Sequence, residues 1–341
     1  MNYVFFGTPE FAIIILKTLI EAGLMPALVV TAPDKPQGRG NMLTPPPVKT
    51  LAEDYGISFA QPATLKNNDD LVSTITKIHP DLFVVAAYGK IIPKILLDIP
   101  RKGAINVHPS LLPRYRGPSP IQAAILNGDE VTGVSIMLLD EEMDHGPILA
   151  VQELGISKFY ATELQDQLAH LGAQLLIETI PKWLSSDEIA PQPQDHAKAT
   201  YTKMITKEDG RIDWHRSAEA IERMIRAYTP WPSAWTTLKQ GGKNLRVKIL
   251  NVSLPPQNPP LVRGGNQGGF PLSSSGGAMS DSKERRSDPK PGTIINQKSD
   301  LLVACGEGVL LVERLQAEGG KPMSGAVFLN GLRDASVIFG I

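Results

Sequence analysis

Three polar side chains in the middle of the chain could carry out chemistry on a carbonyl group. Asn106 and His108 lie two residues apart at the end of an apolar run, and Asp144 follows in the segment MDHGPIL. Residues two apart in a strand face the same side, so the amide and the imidazole would lie together. Such a pair can stabilise and protonate a developing oxyanion, while a carboxylate orients the imidazole. The sequence therefore predicts a catalytic group of Asn106, His108 and Asp144.

Each of these residues also has an ordinary structural interpretation. A buried asparagine often serves only the backbone, histidine is often structural, and acidic residues are common in turns. Two observations favour chemistry: sites in open α/β sheets gather at strand ends, and the Gly146-Pro147 turn would fix Asp144. His145 beside Asp144 raises the alternative of a metal site. No ligand spacing completes one, so we expect no metal. From the residues alone, the catalytic and structural interpretations both stay open.

The elements that would position this group alternate between strand and helix. This alternation predicts an α/β, doubly wound first domain. Helix start signals stand at Thr8-Pro9-Glu10 and in a capping box of Thr162 and Gln165. The candidate strands are continuous apolar runs, as expected for strands buried on both faces of a parallel sheet: Tyr3–Phe6, Leu28–Thr31, Leu82–Ala87, Ala104–Val107 and Val134–Leu139.

The second half of the chain has a different pattern. Residues 189–206 are polar and proline-spaced, which predicts a linker between a catalytic domain at 1–188 and a smaller domain at 207–341. In the smaller domain, a helix capped by Ser217 precedes several short strand-like runs, as in an OB-like β-barrel. Residues 255–291 are rich in Pro, Gly, Ser and Asn, and we expect a disordered insert there.

Composition and charge limit the classes of protein. The chain has 341 residues, of which 42% are hydrophobic and 20% charged, as in a two-domain globular protein. We see no secretory signal and no apolar run that could span a bilayer, and Cys305 is the only cysteine. We therefore expect a cytoplasmic protein without an internal disulfide or a cysteine zinc site. The formal charge is −6 for residues 1–206 and +5 for 207–341, which suggests a polyanionic partner for the second domain.

Several motifs together resemble the methionyl-tRNA formyltransferase family. The resemblance covers nearly the whole chain outside 255–291. The N-V-H-x-S-L-L-P motif with a later D-x-G is shared by all formyltetrahydrofolate-dependent formyltransferases, so it specifies the reaction. GTPEF, the GRG loop and IRAYTPWPSAW resemble the methionyl-tRNA branch specifically. The segments that carry the resemblance are INVHPSLLPRYRG, MDHGPIL, FGTPEF, VVAAYGKIIP and DWHRSAEAIERMIRAYTPWPSAW.

The resemblance implies a fold, a reaction and a set of site residues. The fold is a Rossmann-like formyltransferase domain followed by a small OB-like β-barrel. The reaction transfers a formyl group from 10-formyltetrahydrofolate to the α-amine of methionyl initiator tRNA, without a metal, and supports translation initiation. We expect a cytoplasmic monomer. The matching residues are the triad Asn106, His108 and Asp144, the folate contacts Tyr88, Gly89, Ser110, Leu111, Leu112 and Pro113, and the tRNA contacts Lys35, Arg39, Arg114 and Arg116.

Three alternatives share part of this pattern. A formyltransferase for a small amine, such as a nucleotide sugar or glycinamide ribonucleotide, has the same triad but needs no basic second domain. A hydrolase could release formate from the same donor. An RNA-binding protein with an inactive transferase half would need no triad, and the presence of all three triad side chains argues against it.

Overall fold

The computed structural model describes residues 1–37, 41–156, 158–185, 189–240, 243–255, 289–297, 300–332 and 338–340. They fall into two compact units, Met1–Thr206 and Lys207–Ile341. Arg39 and most of the expected insert at 255–291 lie outside the described residues. Within the described ranges, no helix is long and apolar enough to cross a membrane.

The described residues of the first unit form nine strands. β3 and β4 form a separate hairpin, and the other seven form one sheet in the order 5-2-1-6-7-8-9. The five strands at the β5 side pair in parallel, whereas β8 is antiparallel to both β7 and β9. The strands are β1 (Tyr3–Gly7), β2 (Leu28–Val30), β3 (Lys35–Gln37), β4 (Met42–Thr44), β5 (Phe59–Ala60), β6 (Leu82–Ala86), β7 (Ala104–His108), β8 (Val131–Leu138) and β9 (Ile148–Gly155).

The described part of the first unit also has six helices, and the last of them packs against the first helix and against β8 and β9. They are α1 (Glu10–Glu21), α2 (Pro47–Asp54), α3 (Asp69–Ile78), α4 (Lys94–Leu97), α5 (Pro120–Asn127) and α6 (Ala161–Leu184). The sheet and its helices confirm the expected doubly wound, Rossmann-like domain.

Two helix starts differ from the sequence prediction. Thr8 does not cap α1, because its hydroxyl points to the backbone oxygen of Tyr88 at 3.5 Å and Pro9 holds the N-cap position. In α6, the Glu163 carboxylate accepts a hydrogen bond from the backbone N–H of Tyr160 at 2.8 Å. The capping box of α6 is therefore formed by Tyr160 and Glu163, and not by Thr162 and Gln165.

The direction of β8 also corrects the sequence prediction. Its apolar run was expected to form a parallel strand, but β8 pairs with both neighbours antiparallel. Six of its eight residues are buried all the same. A continuous apolar run reports that both faces of a strand are covered, and it carries no information on the direction of the neighbours.

Residues 189–206 belong to the first unit and do not form the expected linker. Gln192 pairs antiparallel with Ile148 at the start of β9, and Tyr201 pairs in parallel with Arg116. These backbone groups find partners on the first unit, which is why a polar segment without periodicity is ordered there.

The part of the second unit that the structure describes is a curled antiparallel sheet with two helices. Its strands run in the order 10-11-14-13-12, with β15 beside β14. The backbone N–H of Phe339 donates to Gly292 beside β12, and that of Gly340 donates to Thr237 in β10, so residues 338–340 join both edges. This closure fits the expected small β-barrel. The elements are α7 (Ala218–Tyr228), β10 (Ala234–Gln240), β11 (Lys243–Ser253), β12 (Ile294–Gln297), β13 (Asp300–Ala304), β14 (Val309–Ala317), β15 (Met323–Ser324) and α8 (Gly325–Asn330).

Candidate active site

The carboxyl end of β7 carries Asn106 and His108. The neighbouring β6 and β8 fix the backbone of this strand from both sides. The spacing of two residues places both side chains on one face. Asn106 is half-buried, and within the described part of the chain its amide has no hydrogen-bond partner. The amide is therefore available to a substrate.

Each ring nitrogen of His108 faces an oxygen atom of the first unit. Its Nε2 lies 2.9 Å from the backbone oxygen of Tyr115. Because a carbonyl oxygen only accepts, Nε2 carries the proton in this contact. Its Nδ1 lies 3.6 Å from Oδ1 of Asp144. The structure thus brings His108 and Asp144 together, and it directs Nδ1 towards the carboxylate.

Asp144 is held in an unusual backbone conformation. Its φ of +50° lies in the left-handed region, which few residues other than glycine adopt. Its Oδ2 accepts a hydrogen bond of 2.7 Å from the backbone N–H of Gly117. Gly117 has a φ of +102°, and a Cβ there would lie 2.8 Å from the backbone oxygen of Thr202. Position 117 therefore requires glycine if its N–H is to reach Asp144.

Sequence reasoning missed the contribution of residues 189–206 to this site. Gln194 is buried, and its Nε2 donates to the backbone oxygens of Asp144 at 3.0 Å and Gly146 at 2.7 Å. The Thr200 hydroxyl accepts from the backbone N–H of Tyr115 at 2.8 Å. No local signal marks these residues, because a polar, proline-spaced segment looks the same whether it is a linker or packs on a domain.

His145 lies beside Asp144 in sequence but turns away from it. Its Nδ1 is 2.7 Å from Oδ2 of Asp140, and its ring stacks on that of His196 at 4.2 Å. His145 therefore leaves the carboxylate of Asp144 to His108 and Gly117. Among the described residues there is no group of three or more His, Cys, Asp or Glu side chains that could hold a metal ion.

The expected folate contacts divide into inward and outward residues. Ser110 is fully buried, and its hydroxyl donates to the backbone oxygen of Arg114 at 2.6 Å. Leu112 is also buried, and its backbone N–H donates to the Ser135 hydroxyl at 3.1 Å. The Ser110 hydroxyl and the Leu112 backbone therefore hold the turn, which differs from the expected ligand contact of these two residues. Leu111 and Pro113 are half-buried and remain able to meet a ligand.

Tyr88 and Gly89 lie just beyond the end of β6, next to β7. Tyr88 packs edge-on against Phe6 with ring centroids 5.4 Å apart, and burial raises the pKa of Tyr88 to about 12. Its buried hydroxyl has no hydrogen-bond partner among the described residues. Gly89 is exposed. Because β6 and β7 are parallel, the turn that follows β6 and the Ser110–Pro113 turn that follows β7 lie at the same edge of the sheet.

The expected tRNA contacts also differ from one another. Arg116 is 1% exposed and its guanidinium bonds to Gln194, His196 and Tyr201, so it cannot meet an RNA phosphate. The prediction that Arg116 contacts tRNA is wrong, because its side chain is buried and hydrogen-bonded inside the first unit. Arg114 is half-exposed and pairs with Asp129 at 3.0 Å.

Lys35 is exposed. Burial lowers the pKa of Lys90, and the nearby charge of Lys35 lowers it further. Lys90 is held by the backbone oxygens of Pro62 and Ala63 at 2.8 and 2.9 Å. Two cations therefore lie near each other next to the hairpin, where an anion would reduce their repulsion.

Comparison with known proteins identifies the family. Residues 1–180 match the family model described as "Formyl transferase", and residues 204–333 match "Formyl transferase, C-terminal domain". A methionyl-tRNA formyltransferase of Chloroflexus aggregans is 43% identical to this chain over 343 aligned residues. The alignment covers 100% of both chains. The chain belongs to the methionyl-tRNA formyltransferase family. This confirms the resemblance seen in the sequence motifs.

Solved structures support the fold of this methionyl-tRNA formyltransferase family member. WlaRD, a sugar 3N-formyl transferase solved with dTDP and 5-N-formyl-THF, matches with a TM-score of 0.59 at 16% identity, over 91% of this chain and 96% of its own. HypX of Aquifex aeolicus, solved with tetrahydrofolic acid, matches with a TM-score of 0.57 at 16% identity, over 96% of this chain and 47% of its own. At these identities the likeness extends to the fold alone.

Proposed function

We propose that this chain transfers the formyl group of 10-formyltetrahydrofolate to the α-amine of methionyl initiator tRNA and thereby supports translation initiation. The observation that carries the proposal is the arrangement at the end of β7, where the free amide of Asn106 stands beside a His108 that faces Asp144 at 3.6 Å. Membership of the methionyl-tRNA formyltransferase family supports the choice of acceptor.

The reaction needs no reactant beyond these two substrates. A bond forms between the amine nitrogen and the formyl carbon, and the bond from that carbon to N10 of the donor breaks. The attacking amine must be neutral, because it uses its lone pair. The proton that the amine loses is the one that N10 gains. In between, the former carbonyl oxygen carries negative charge, which the site must stabilise.

Asn106 donates a hydrogen bond to that oxygen. Its amide is held by a strand that is paired on both sides, so it needs little reorganisation during the reaction. A preorganised donor of this kind contributes about 2.7–4 kcal/mol to lowering the barrier. The half-buried position of Asn106 reduces competition from water for the same donor.

His108 moves the proton between the two nitrogens. Tyr115 occupies Nε2, so Nδ1 is the ring nitrogen that receives the proton from the amine and passes it to N10. Asp144 orients the ring and stabilises the imidazolium while it holds the proton. The gap of 3.6 Å between Nδ1 and Oδ1 is wider than a hydrogen bond. Catalytic contacts are often long in a free site and shorten in the reacting complex.

The donor lies against the turns that follow β6 and β7. Leu111 and Pro113 offer half-buried apolar surface, and the exposed Gly89 leaves the neighbouring edge open. The unpartnered Tyr88 hydroxyl is a polar group that a ligand could satisfy. Parallel strands that end side by side are the usual place for such a ligand.

The tRNA contacts the exposed cations of both units. In the first unit these are Lys35 and Arg114, and we also assign a contact to Arg39, which lies outside the described residues. In the second unit the +5 formal charge of 207–341 attracts the phosphate backbone. We propose that the protein acts in the cytoplasm as a monomer.

Incubation with labelled formyl donor and charged initiator tRNA tests the proposal. We expect label on the methionine amine. Formylation of a nucleotide sugar or glycinamide ribonucleotide in place of the tRNA would indicate a small-amine transferase, free formate alone would indicate a hydrolase, and tRNA binding without turnover would indicate an inactive RNA-binding protein.

Variants of the triad test the mechanism in the same assay. Asn106→Asp keeps the size of the side chain but replaces the donor by an acceptor, and His108→Ala removes the proton carrier. We expect both to lower kcat by about 10²-fold or more with the melting temperature nearly unchanged. Gln152→Ala, an exposed change in β9 of the same sheet, serves as the control. Near-native kcat for both triad variants would contradict the mechanism.

A further inference from the structure

We propose that Gln194 and Arg116 are positioning residues that hold Asp144 in place for proton transfer, an inference that rests on the proposed function. Neither side chain is placed to touch the reacting atoms. Gln194 acts on the backbone of the Asp144 loop from 50 residues further along the chain, and Arg116 acts through Gln194.

Gln194 holds the loop on both sides of His145. Its Nε2 donates to the backbone oxygen of Asp144 at 3.0 Å and to that of Gly146 at 2.7 Å. Gln194 is only 6% exposed, so water does not replace these bonds easily. The left-handed backbone of Asp144 is unfavourable and persists only where its surroundings enforce it. The two bonds from Gln194 supply that enforcement.

Arg116 fixes which way the Gln194 amide faces. Its Nε and one terminal nitrogen donate to Oε1 of Gln194 at 3.0 and 2.7 Å. A guanidinium only donates, so Oε1 must face Arg116 and Nε2 must face the loop. In the reverse orientation, the Gln194 NH₂ group would face two N–H donors of Arg116, and Oε1 would face the backbone oxygens of Asp144 and Gly146.

The remaining partners of Arg116 are neutral acceptors. They are the Tyr201 hydroxyl at 3.2 Å and Nδ1 of His196 at 2.9 Å, and no carboxylate among the described residues forms an ion pair with this 1% exposed side chain. Burying a cation without a counter-charge is unfavourable for stability. The arrangement is better explained by the orientation it imposes on Gln194 than by a gain in stability.

The same turn also holds the carboxylate of Asp144. Gly117, the residue after Arg116, donates its N–H to Oδ2 at 2.7 Å. Asp144 is thus fixed at its side chain by Gly117 and at its backbone by Gln194. With both fixed, Oδ1 is left facing Nδ1 of His108.

Gln194→Glu tests the proposal because it separates the two faces of the side chain. The carboxylate still accepts from Arg116, but it presents an acceptor to the backbone oxygens of Asp144 and Gly146. We expect kcat for formylation to fall about tenfold or more, with the KM of both substrates within about threefold and the melting temperature preserved. Gln192→Glu is the matched control, since it makes the same charge change at an exposed position of the same segment.

A double-mutant cycle with Asp144→Asn shows whether Gln194 acts through Asp144. If it does, Gln194→Glu lowers kcat less than about twofold in the Asp144→Asn background. An undiminished tenfold loss there, or no loss in the wild-type background, would overturn the proposal while leaving the proposed function intact. Wild-type kcat for Asp144→Asn would instead contradict the catalytic role of Asp144 and both proposals with it.

Arg116→Lys provides a second variant in case Gln194→Glu unfolds the protein. Lysine keeps the positive charge but loses the forked donation that orients the amide. We expect a smaller fall in kcat, about threefold or more, which again disappears in the Asp144→Asn background. A fall of equal size in both backgrounds would contradict positioning through Asp144.

Discussion

The two units bury different kinds of side chain. The first unit buries polar groups around the end of β7, among them His108, Ser110, Arg116, Ser135 and Gln194. The described interior of the second unit is dominated by apolar contacts, such as the stacking of Phe339 on Trp214 and Phe328 with centroids 5.7 and 6.3 Å apart. The interior of the first unit therefore depends on hydrogen bonds between buried polar groups, whereas the described interior of the second unit depends on apolar packing.

This difference shows where the molecule needs exact side-chain orientation. A buried polar group is unfavourable unless it is hydrogen-bonded, and its bonds must point in set directions. Apolar packing tolerates small shifts, whereas a connected set of hydrogen bonds specifies one arrangement. The first unit carries such a set because the proposed chemistry depends on it. For the second unit we propose only that it presents positive charge to the tRNA.

Phe339→Ala breaks the second unit without touching the first. Phe339 is 2% exposed and its backbone joins the two edges of the sheet. Loss of its ring leaves a cavity, and we expect the free energy of unfolding of the second unit to fall by about 3–5 kcal/mol in denaturant titrations. Folate binding, which we assign to the first unit, should be unchanged.

The control for this variant is Val327→Ala, a truncation of an exposed side chain in α8. A weakened folate affinity in Phe339→Ala, under conditions where the first unit stays folded, would contradict the division of labour between the units.

Gly117→Ala breaks the bonded set in the first unit. The added Cβ would lie 2.8 and 2.9 Å from the backbone oxygen and hydroxyl of Thr202, at a φ of +102°. The turn must shift, and its N–H then moves away from Asp144. We expect kcat to fall about 10- to 100-fold and stability to fall by about 1–3 kcal/mol.

Gly56→Ala is the matched control, since its φ of +66° imposes a similar backbone cost but the space around it is open. We expect it to lose stability only. If Gly117→Ala and Gly56→Ala had the same kcat, the contact between Gly117 and Asp144 would have no catalytic importance.

Cys305 reports on the second unit through its ionisation. Burial raises the pKa of the Cys305 thiol to about 12, whereas an unfolded thiol ionises near pH 8.5. The folded state therefore holds the proton more tightly, and its advantage is complete below about pH 8.5 and declines as the pH rises towards 12. Between pH 8 and 9.5, we expect the wild-type protein to lose about 1 kcal/mol more unfolding free energy than Cys305→Ala. Equal losses would show that the thiol is accessible to solvent in the folded state.

The sequence predicts the parts of the site that depend on local pattern. The period of two placed Asn106 and His108 on one strand face, and the Gly146-Pro147 turn marked Asp144 as ordered. Burial on both faces predicted β8 as a strand but not its direction, since apolar content is the same for either direction. The predicted Ser217 cap of α7 is also confirmed. Its hydroxyl accepts a hydrogen bond from the backbone N–H three residues further on.

The parts that were missed depend on contacts between distant residues. Arg116 and Gln194 are 78 positions apart. An arginine next to a glycine in a turn usually faces solvent, and nothing near it in sequence indicates a buried amide as its partner. Ser110 was expected to face a ligand because the motif names the residue but not the direction of its side chain. Orientation is set by tertiary packing, which a motif does not record.

The position of Gln194 has a practical consequence for isolating the first unit. The family model for this part ends at residue 180, and all three triad residues lie before that point. A fragment cut there would keep the complete motif yet lack the amide that fixes the Asp144 loop and the threonines that pair with the Tyr115–Gly117 turn. A minimal fragment intended for ligand screening should therefore extend to Thr206, where the compact unit ends.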